Sequence, residues 1–139
     1  MLVIKKFNDT EKNFKELSRI DNLVNHDSIS HPDDDKREWI IRDKNLFRDR
    51  LLLYKKKLLI GVMYYSQGRG NNTKTTFFTL NIDPSYNTKQ TRELLFNKMI
   101  QEIKSFDSNK ILTGVYEHPN YDLVKQFLID KQFKLVQTN

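Results

Sequence analysis

The 139-residue chain contains no cysteine and has no apolar stretch near the length of a membrane span. Without cysteine it forms no disulfide, no thiolate zinc site and no cysteine nucleophile. A membrane helix needs about 20 consecutive apolar residues, and no run approaches this length. Met1 leads directly into Leu2–Phe7, which lacks the charged, apolar and cleavage regions of a secretory signal. These absences predict a cytoplasmic protein that no membrane helix anchors.

Several motifs of catalytic or ligand sites are also missing or in the wrong context. There is no G-x-S-x-G sequence for a serine nucleophile. Gly68–Thr75 is one residue away from a P-loop, but a strand is expected to follow it where phosphates need a helix. His26 and His31 lie among aspartates on an expected loop, and their spacing fixes no coordination geometry. We therefore expect no metal site, and we expect Asp33–Asp35 to begin a helix.

The composition indicates one soluble globular domain with a basic surface. Hydrophobic residues make up 37% of the chain and charged residues 30%, and the formal net charge is +6. Such a charge is compatible with nucleic-acid binding. However, the lysines and arginines are spread along the chain, and no aromatic and basic recognition motif accompanies them. We expect no nucleic-acid partner, and a basic groove also suits a polyanionic cofactor.

The spacing of apolar residues predicts a mixed α/β (α+β) fold. Its central sheet is expected to have six strands, mostly antiparallel, with helices on both faces. The predicted strands are Leu2–Phe7, Leu51–Tyr54, Leu58–Tyr65, Thr75–Ile82, Ile111–Tyr116 and Phe133–Val136. The first predicted helix runs from a cap at Asp9 or Thr10 to about Asn25, and the second from Asp33 to about Leu46, with Trp39 and Ile40 pointing inward. A third predicted helix begins at about Thr88. The fourth spans Tyr121–Asp130.

This order of elements, with three sequence motifs, resembles the GNAT superfamily of acyl-CoA-dependent N-acyltransferases. Leu58–Tyr65 is similar to the third strand of that family, with Gly61 after a short aliphatic run. Leu80–Tyr86 matches L-x-V-x-P-x-Y at the end of the fourth strand, and Val124–Val136 resembles the final helix and strand. The resemblance spans nearly the whole chain. It implies transfer of an acetyl group from acetyl-CoA to an amine acceptor.

The resemblance also implies where acetyl-CoA would bind. In the family the fourth and fifth strands splay apart, and the pantetheine arm bonds to the exposed backbone. The pyrophosphate rests on the amides that open the third helix, where unpaired N–H groups form an anion site. Ile82 would supply the N–H for the carbonyl oxygen. The residues that match are Leu80, Asn81 and Ile82 for pantetheine, and Asn87, Thr88, Lys89, Gln90, Thr91 and Arg92 for the phosphates.

The phosphate loop departs from the family pattern. Gln90 and Arg92 stand where the family has small residues, and a side chain at either position crowds the approach of a phosphate to the backbone. Lys89 and Arg92 add positive charge suited to phosphates, and Thr88 and Thr91 add hydroxyls. Two functions therefore stay open: an N-acetyltransferase, or a non-catalytic GNAT-like binding or scaffold domain, such as half of a tandem protein.

The final helix departs as well. Phe127 and Leu128 occupy the region where many family members carry a tyrosine that protonates the departing thiolate, and neither can donate a proton. The candidates for acid and base chemistry are Asp83, Glu117, His118 and Tyr121. The first three also suit a turn or surface position, and Tyr121, at the start of the last helix, also suits a packing role.

The resemblance further implies a seventh strand, for which the chain has no room after Val136. An uncovered sixth strand would pair with another chain. We expect a homodimer through this C-terminal edge, or cover from a further domain of a longer parent. The alternative is a short edge strand whose charged residues, Lys131 and Lys134, keep it from pairing with another chain.

Overall fold

The computed structural model describes residues 1–25, 29–70, 73–104, 108 and 110–113. The predicted last helix, the sixth strand with its homodimer edge, and the end of the fifth strand lie outside the described residues. The described strands are β1 (Leu2–Lys6), β2 (Arg48–Lys55), β3 (Leu58–Gln67), β4 (Thr75–Ile82) and β5 (Lys110–Thr113). The helices are α1 (Glu11–Val24), α2 (Pro32–Ile41) and α3 (Lys89–Ile103), and a 3-10 turn at Pro84–Tyr86 connects β4 to α3.

The strands form one mixed sheet in the order β1-β2-β3-β4-β5. Neighbours from β1 to β4 are antiparallel, whereas β5 runs parallel to β4. The β4–β5 register pairs Thr75 with Lys110 and ends at Phe78 and Thr113. A mixed, mostly antiparallel sheet is thus confirmed for the five strands in these ranges.

Helices cover both faces of the sheet, as predicted. On one face Leu95 and Met99 of α3 pack against Leu51, Met63 and Leu80. On the other face the side chains of α1 pack against β2 and β3. That second cluster consists of Leu17, Ile20, Val24, Leu52, Leu59 and Val62. Each large apolar side chain buried here contributes about 1.5–3 kcal/mol, so the two clusters hold the helices to the sheet.

Helix α1 begins as its capping residue predicts. The Thr10 hydroxyl accepts a hydrogen bond from the Asn13 amide at 3.2 Å, which satisfies one of the unpaired amides of the first turn. Phe14, Leu17 and Ile20 are buried along one stripe of the helix. This stripe fixes which side of α1 faces the sheet.

Helix α2 is shorter than predicted, and one of its apolar residues points outward. The helix ends at Ile41 rather than near Leu46, because Arg42 leaves the helical conformation with ψ 152°. Trp39 is buried against Phe7, but Ile40 is 59% exposed, so its inward prediction is wrong. Successive helical residues are turned by about 100°, so Ile40 cannot share the face of Trp39.

Gly61 lies where β3 passes beneath α3. A Cβ atom at this position would lie 3.2 Å from both Ile82 Cγ1 and Leu95 Cδ1. We expect Gly61→Ala to lower the free energy of unfolding by about 1 kcal/mol, since overpacking a core typically costs 1–3 kcal/mol. Urea denaturation checks this. An unchanged midpoint would contradict the close packing described here.

Candidate functional site

The end of β4 directs backbone groups to both of its edges. Hydrogen bonds from Gly68 N to Thr75 O (2.9 Å) and from Asp83 N to Ile60 O (2.8 Å) fix which β4 residues bond to β3. In an antiparallel ladder this alternation turns the backbone of Asn81 toward β3. Leu80 and Ile82 turn their N–H groups the other way, beyond the described β5 register. These two residues therefore have the direction expected for pantetheine contacts, whereas the Asn81 backbone does not.

The turn after β4 is closed by Asp83. Its carboxylate accepts a hydrogen bond from the Ser85 amide at 2.9 Å, and its carbonyl accepts one from Tyr86 N at 2.8 Å. Asp83, a candidate base, therefore caps the 3-10 turn. The other three candidates, Glu117, His118 and Tyr121, lie outside the described residues.

Two threonines form the cap of α3. The Thr88 hydroxyl accepts from Thr91 N at 3.2 Å, and the Thr91 hydroxyl accepts from Thr88 N at 3.0 Å. Thr91 is buried, and its hydroxyl also donates to Tyr86 O at 2.8 Å. Both hydroxyls are therefore engaged in the cap.

The first turn of α3 keeps two open amides. Arg92 N bonds to Thr88 O at 3.1 Å, whereas the amides of Lys89 and Gln90 have no acceptor within the part of the chain that the structure describes. Both residues are exposed. Open amides at a helix N-terminus form an anion site, which the helix dipole reinforces.

Arg92 is folded back onto the loop. Its guanidinium donates to Asn87 Oδ1 at 2.7 Å and to Asn87 O at 3.3 Å, and the residue is only 9% exposed. Burial lowers the pKa of Arg92. In this conformation the Arg92 guanidinium is hydrogen-bonded to Asn87. Lys89 is an exposed cation at the start of α3.

The opposite face of β4 carries a polar group that we call the Asp21 cluster: Asp21, Tyr64 and Asn81. The Tyr64 hydroxyl donates to both oxygens of Asp21, at 2.9 and 3.0 Å, and Asn81 Nδ2 donates to Asp21 Oδ1 at 3.0 Å. Asn81 Oδ1 is buried and has no hydrogen-bond partner among the described residues. Burial raises the pKa of Asp21, although the bonds from Tyr64 and Asn81 oppose the shift. Burial, together with the Asp21 charge, also raises the pKa of Tyr64 well above its usual value.

A buried ion pair lies beside this cluster. Arg50 is 2% exposed and binds both oxygens of Asp35, at 2.8 and 2.6 Å. Its guanidinium lies over the rings of Phe7, Trp39 and Tyr64 at 4.9, 4.7 and 5.2 Å. Because Asp35 neutralises Arg50, the three side chains Asp21, Asp35 and Arg50 together carry one negative charge when Asp21 is ionised.

A cleft of about 360 Å³ opens next to the cluster. It runs between the α2–β2 connection and strands β2, β3 and β4, and its walls include Arg48, Tyr64, Phe77 and Thr79. Tyr64 belongs to both features, since it lines the cleft and its hydroxyl binds Asp21. The cleft and the cluster therefore share Tyr64.

Four residues of this region are not predicted from the sequence: Asp21, Asp35, Arg50 and Tyr64. The sequence does mark Asp21 as unusual, because it stands at a position of the apolar stripe formed by Leu17, Ile20 and Val24, where a charged residue is rare.

No group of three or more potential metal ligands occurs in the ranges described above. None of the helices there has the length and apolar character of a membrane span.

Comparison with solved structures places the chain among acetyltransferase folds. An N-acetyltransferase from Staphylococcus aureus Mu50 matches with TM-score 0.80 and 13% identity, over 99% of this chain and 86% of that one. A ribosomal-protein-alanine N-acetyltransferase from Brucella melitensis matches with TM-score 0.71 and 12% identity, over 100% of this chain and 96% of that one. A predicted acetyltransferase with acetyl-CoA from Clostridium acetobutylicum matches with TM-score 0.73 and 13% identity, over 100% of this chain and 96% of that one.

No family model and no curated protein sequence matches the chain. The structural likeness establishes the fold: the chain has the GNAT-like fold of these N-acetyltransferases, as the sequence resemblance implies.

Proposed function

We propose that the protein is an N-acetyltransferase that moves an acetyl group from acetyl-CoA to an amine. The observation that carries this proposal is the junction from β4 to α3. Its backbone donors at Leu80 and Ile82 point away from β3, and open amides at Lys89 and Gln90 begin the following helix. A structural neighbour of the same fold was solved with acetyl-CoA, which supports this co-substrate.

In the proposed complex the pyrophosphate rests on the first turn of α3. The amides of Lys89 and Gln90 donate to phosphate oxygens, and the Lys89 ammonium adds charge. The pantetheine arm lies along Leu80 and Ile82. The side chain of Gln90 crowds the phosphates, so binding is expected to be weaker than with a small residue at this position.

The reaction is a direct transfer. The nitrogen lone pair of the neutral amine attacks the acetyl carbonyl carbon, and the Ile82 N–H stabilises the negative charge on the carbonyl oxygen. The C–N bond forms, the C–S bond breaks, and the sulfur leaves as a thiolate that takes up a proton. The amine loses one proton to a base on the enzyme. The products are an N-acetylated amine and CoA.

A proline at position 89 tests the amide contacts directly. Thr88 has φ −116° and ψ 165°, which suits the residue before a proline, and proline is favoured at the first helical position. Lys89→Ala removes the charge alone, and Lys89→Pro also removes the amide. We expect Lys89→Pro to bind acetyl-CoA about tenfold more weakly than Lys89→Ala in calorimetry, because a hydrogen bond to a charged group is worth about 1.5–3 kcal/mol.

Two results would count against this proposal. Equal affinities of the alanine and proline variants, with equal stabilities in urea, would show that the Lys89 amide is not a ligand. No binding of acetyl-CoA to the unaltered protein at millimolar concentration would overturn the transferase proposal. It would favour the alternative of a non-catalytic GNAT-like binding domain.

A further inference from the structure

We propose that the Asp21 cluster is the acceptor site: Asn81 Oδ1 and the Asp21 carboxylate bind the N–H groups of a primary amine, and Asp21 is the general base that takes its proton. This assignment rests on the proposed function for its chemistry. The binding site itself follows from the hydrogen-bond inventory of the cluster.

Within the described residues, the Asp21 cluster has a hydrogen-bond acceptor without a partner, and its donors are directed at the Asp21 carboxylate. The single hydroxyl proton of Tyr64 is directed at Asp21, and the Asn81 amide donates to the same carboxylate. This bond fixes the orientation of the Asn81 amide, because the opposite orientation would set two oxygens against each other. Among the described residues, Asn81 Oδ1 is then left buried without a donor, which ordinarily destabilises a fold. A ligand that brings N–H or O–H donors would satisfy it.

The charge of the site selects an amine among such ligands. The nearby guanidinium of Arg50 is bound through two nitrogens to Asp35, so it leaves the Asp21 charge unneutralised. An ammonium group supplies three donors and the compensating positive charge. Asp21 is partly exposed, and Tyr64, which donates a hydrogen bond to it, lines the neighbouring cleft.

The position in the chain suits the reaction. Asn81 lies between Leu80 and Ile82, the two residues proposed to bind acetyl-CoA through their backbones. An amine held on the side chain of Asn81 is therefore next to the strand that carries the acetyl group. Reacting atoms must come within about 3–3.5 Å of each other.

The proton balance is simple. The bound ammonium gives one proton to Asp21, which becomes a neutral carboxylic acid, and the resulting amine attacks the acetyl carbon. As the C–N bond forms and the C–S bond breaks, the nitrogen loses a second proton, which the thiolate sulfur takes up. Asp21 faces Tyr64 from β3, Asn81 from β4, Asp35 from α2 and Arg50 from β2. Burial raises the pKa of Asp21, which makes it a stronger base than an exposed carboxylate.

The binding part of the proposal is tested by NMR titration of the full chain with propylammonium chloride. The matched control ligand is tetramethylammonium, which has the same charge but no N–H donor. We expect propylammonium to shift the side-chain amide signals of Asn81 and the carboxyl signal of Asp21, and tetramethylammonium to leave both in place. Asp21→Asn, which keeps the shape of the side chain, is expected to weaken propylammonium binding at least tenfold. No shift with propylammonium, or equal shifts with both ions, would overturn the site.

The role of Asp21 as base is tested with a panel of primary amines in a thiol-release assay. For any amine that is acetylated, we expect Asp21→Asn to lower kcat/KM by about 10²–10⁴-fold, as removal of a general base does. The acetyl-CoA affinity in calorimetry should stay within twofold. The activity of the unaltered enzyme should rise as the pH passes through the pKa of Asp21, and the variant should lack this rise. A variant that keeps both the rate and the rise would overturn the base role. A protein that binds propylammonium but not acetyl-CoA would contradict the proposed function and leave the amine site standing.

Discussion

Arg50→Ala is expected to lower the free energy of unfolding by about 3–5 kcal/mol, the usual cost of removing one partner from a buried ion pair. The variant leaves Asp35 without the guanidinium that binds both of its oxygens, and it opens a space between the rings of Phe7, Trp39 and Tyr64. Folded domains are stable by only about 5–15 kcal/mol, so this loss is a large share of the total. Urea denaturation, read by circular dichroism, measures it.

A double variant separates the charge from the packing. Arg50→Met keeps much of the volume but leaves Asp35 unpaired, whereas Arg50→Met with Asp35→Leu removes both charges. We expect the double variant to be more stable than Arg50→Met alone, because an uncompensated buried charge is the larger cost. If the double variant is the less stable of the two, the ion pair itself contributes net stability.

Leu95→Ala is expected to lower the free energy of unfolding by about 2–5 kcal/mol. Leu95 is completely buried on α3 and faces the sheet at the position of Gly61. Truncation removes apolar contacts and leaves a cavity that the surrounding strands cannot fully close. Leu95→Met, which conserves volume, is the control and is expected to cost less than about 1.5 kcal/mol.

The glycine beneath Leu95 gives this prediction a second test. Because the added methyl group of Gly61→Ala would meet Leu95 Cδ1, it should be better tolerated once Leu95 is alanine. The double variant Gly61→Ala with Leu95→Ala should therefore be more stable than the sum of the single effects predicts. Strict additivity would show that the added methyl group does not enter the space left by Leu95.

The sequence was sufficient to predict elements that depend on local pattern. Strand β4 is predicted to the residue, because β-branched and aromatic residues fill it and Pro84 follows shortly after its end. The caps at Thr10 and Thr88 are likewise local features of the chain. Helix α2 was predicted too long because its last turn is set by the conformation of Arg42, which no neighbouring residue signals.

The site was harder to predict, because its residues meet only in three dimensions. Asp21 contacts partners 43 and 60 positions away in the sequence. The sequence predicts that Arg92 offers charge to phosphates, which stays a prediction, but it gives no sign that the guanidinium bonds to Asn87. A single sequence gives the residue type at each position but not the direction of a long side chain.

The raised pKa of Asp21 has a consequence for the energy of the whole fold. A carboxyl group that holds its proton more tightly in the folded state than in the unfolded chain favours folding most below its unfolded pKa. That contribution is lost as the pH rises through the pKa of the folded state, so the burial of Asp21 works against folding once the group is ionised. A chain selected for stability alone would carry an amide or an aliphatic residue at this position. The Asp21 cluster is therefore locally frustrated: it destabilises the fold, and the apolar contacts between α1 and the sheet offset this cost.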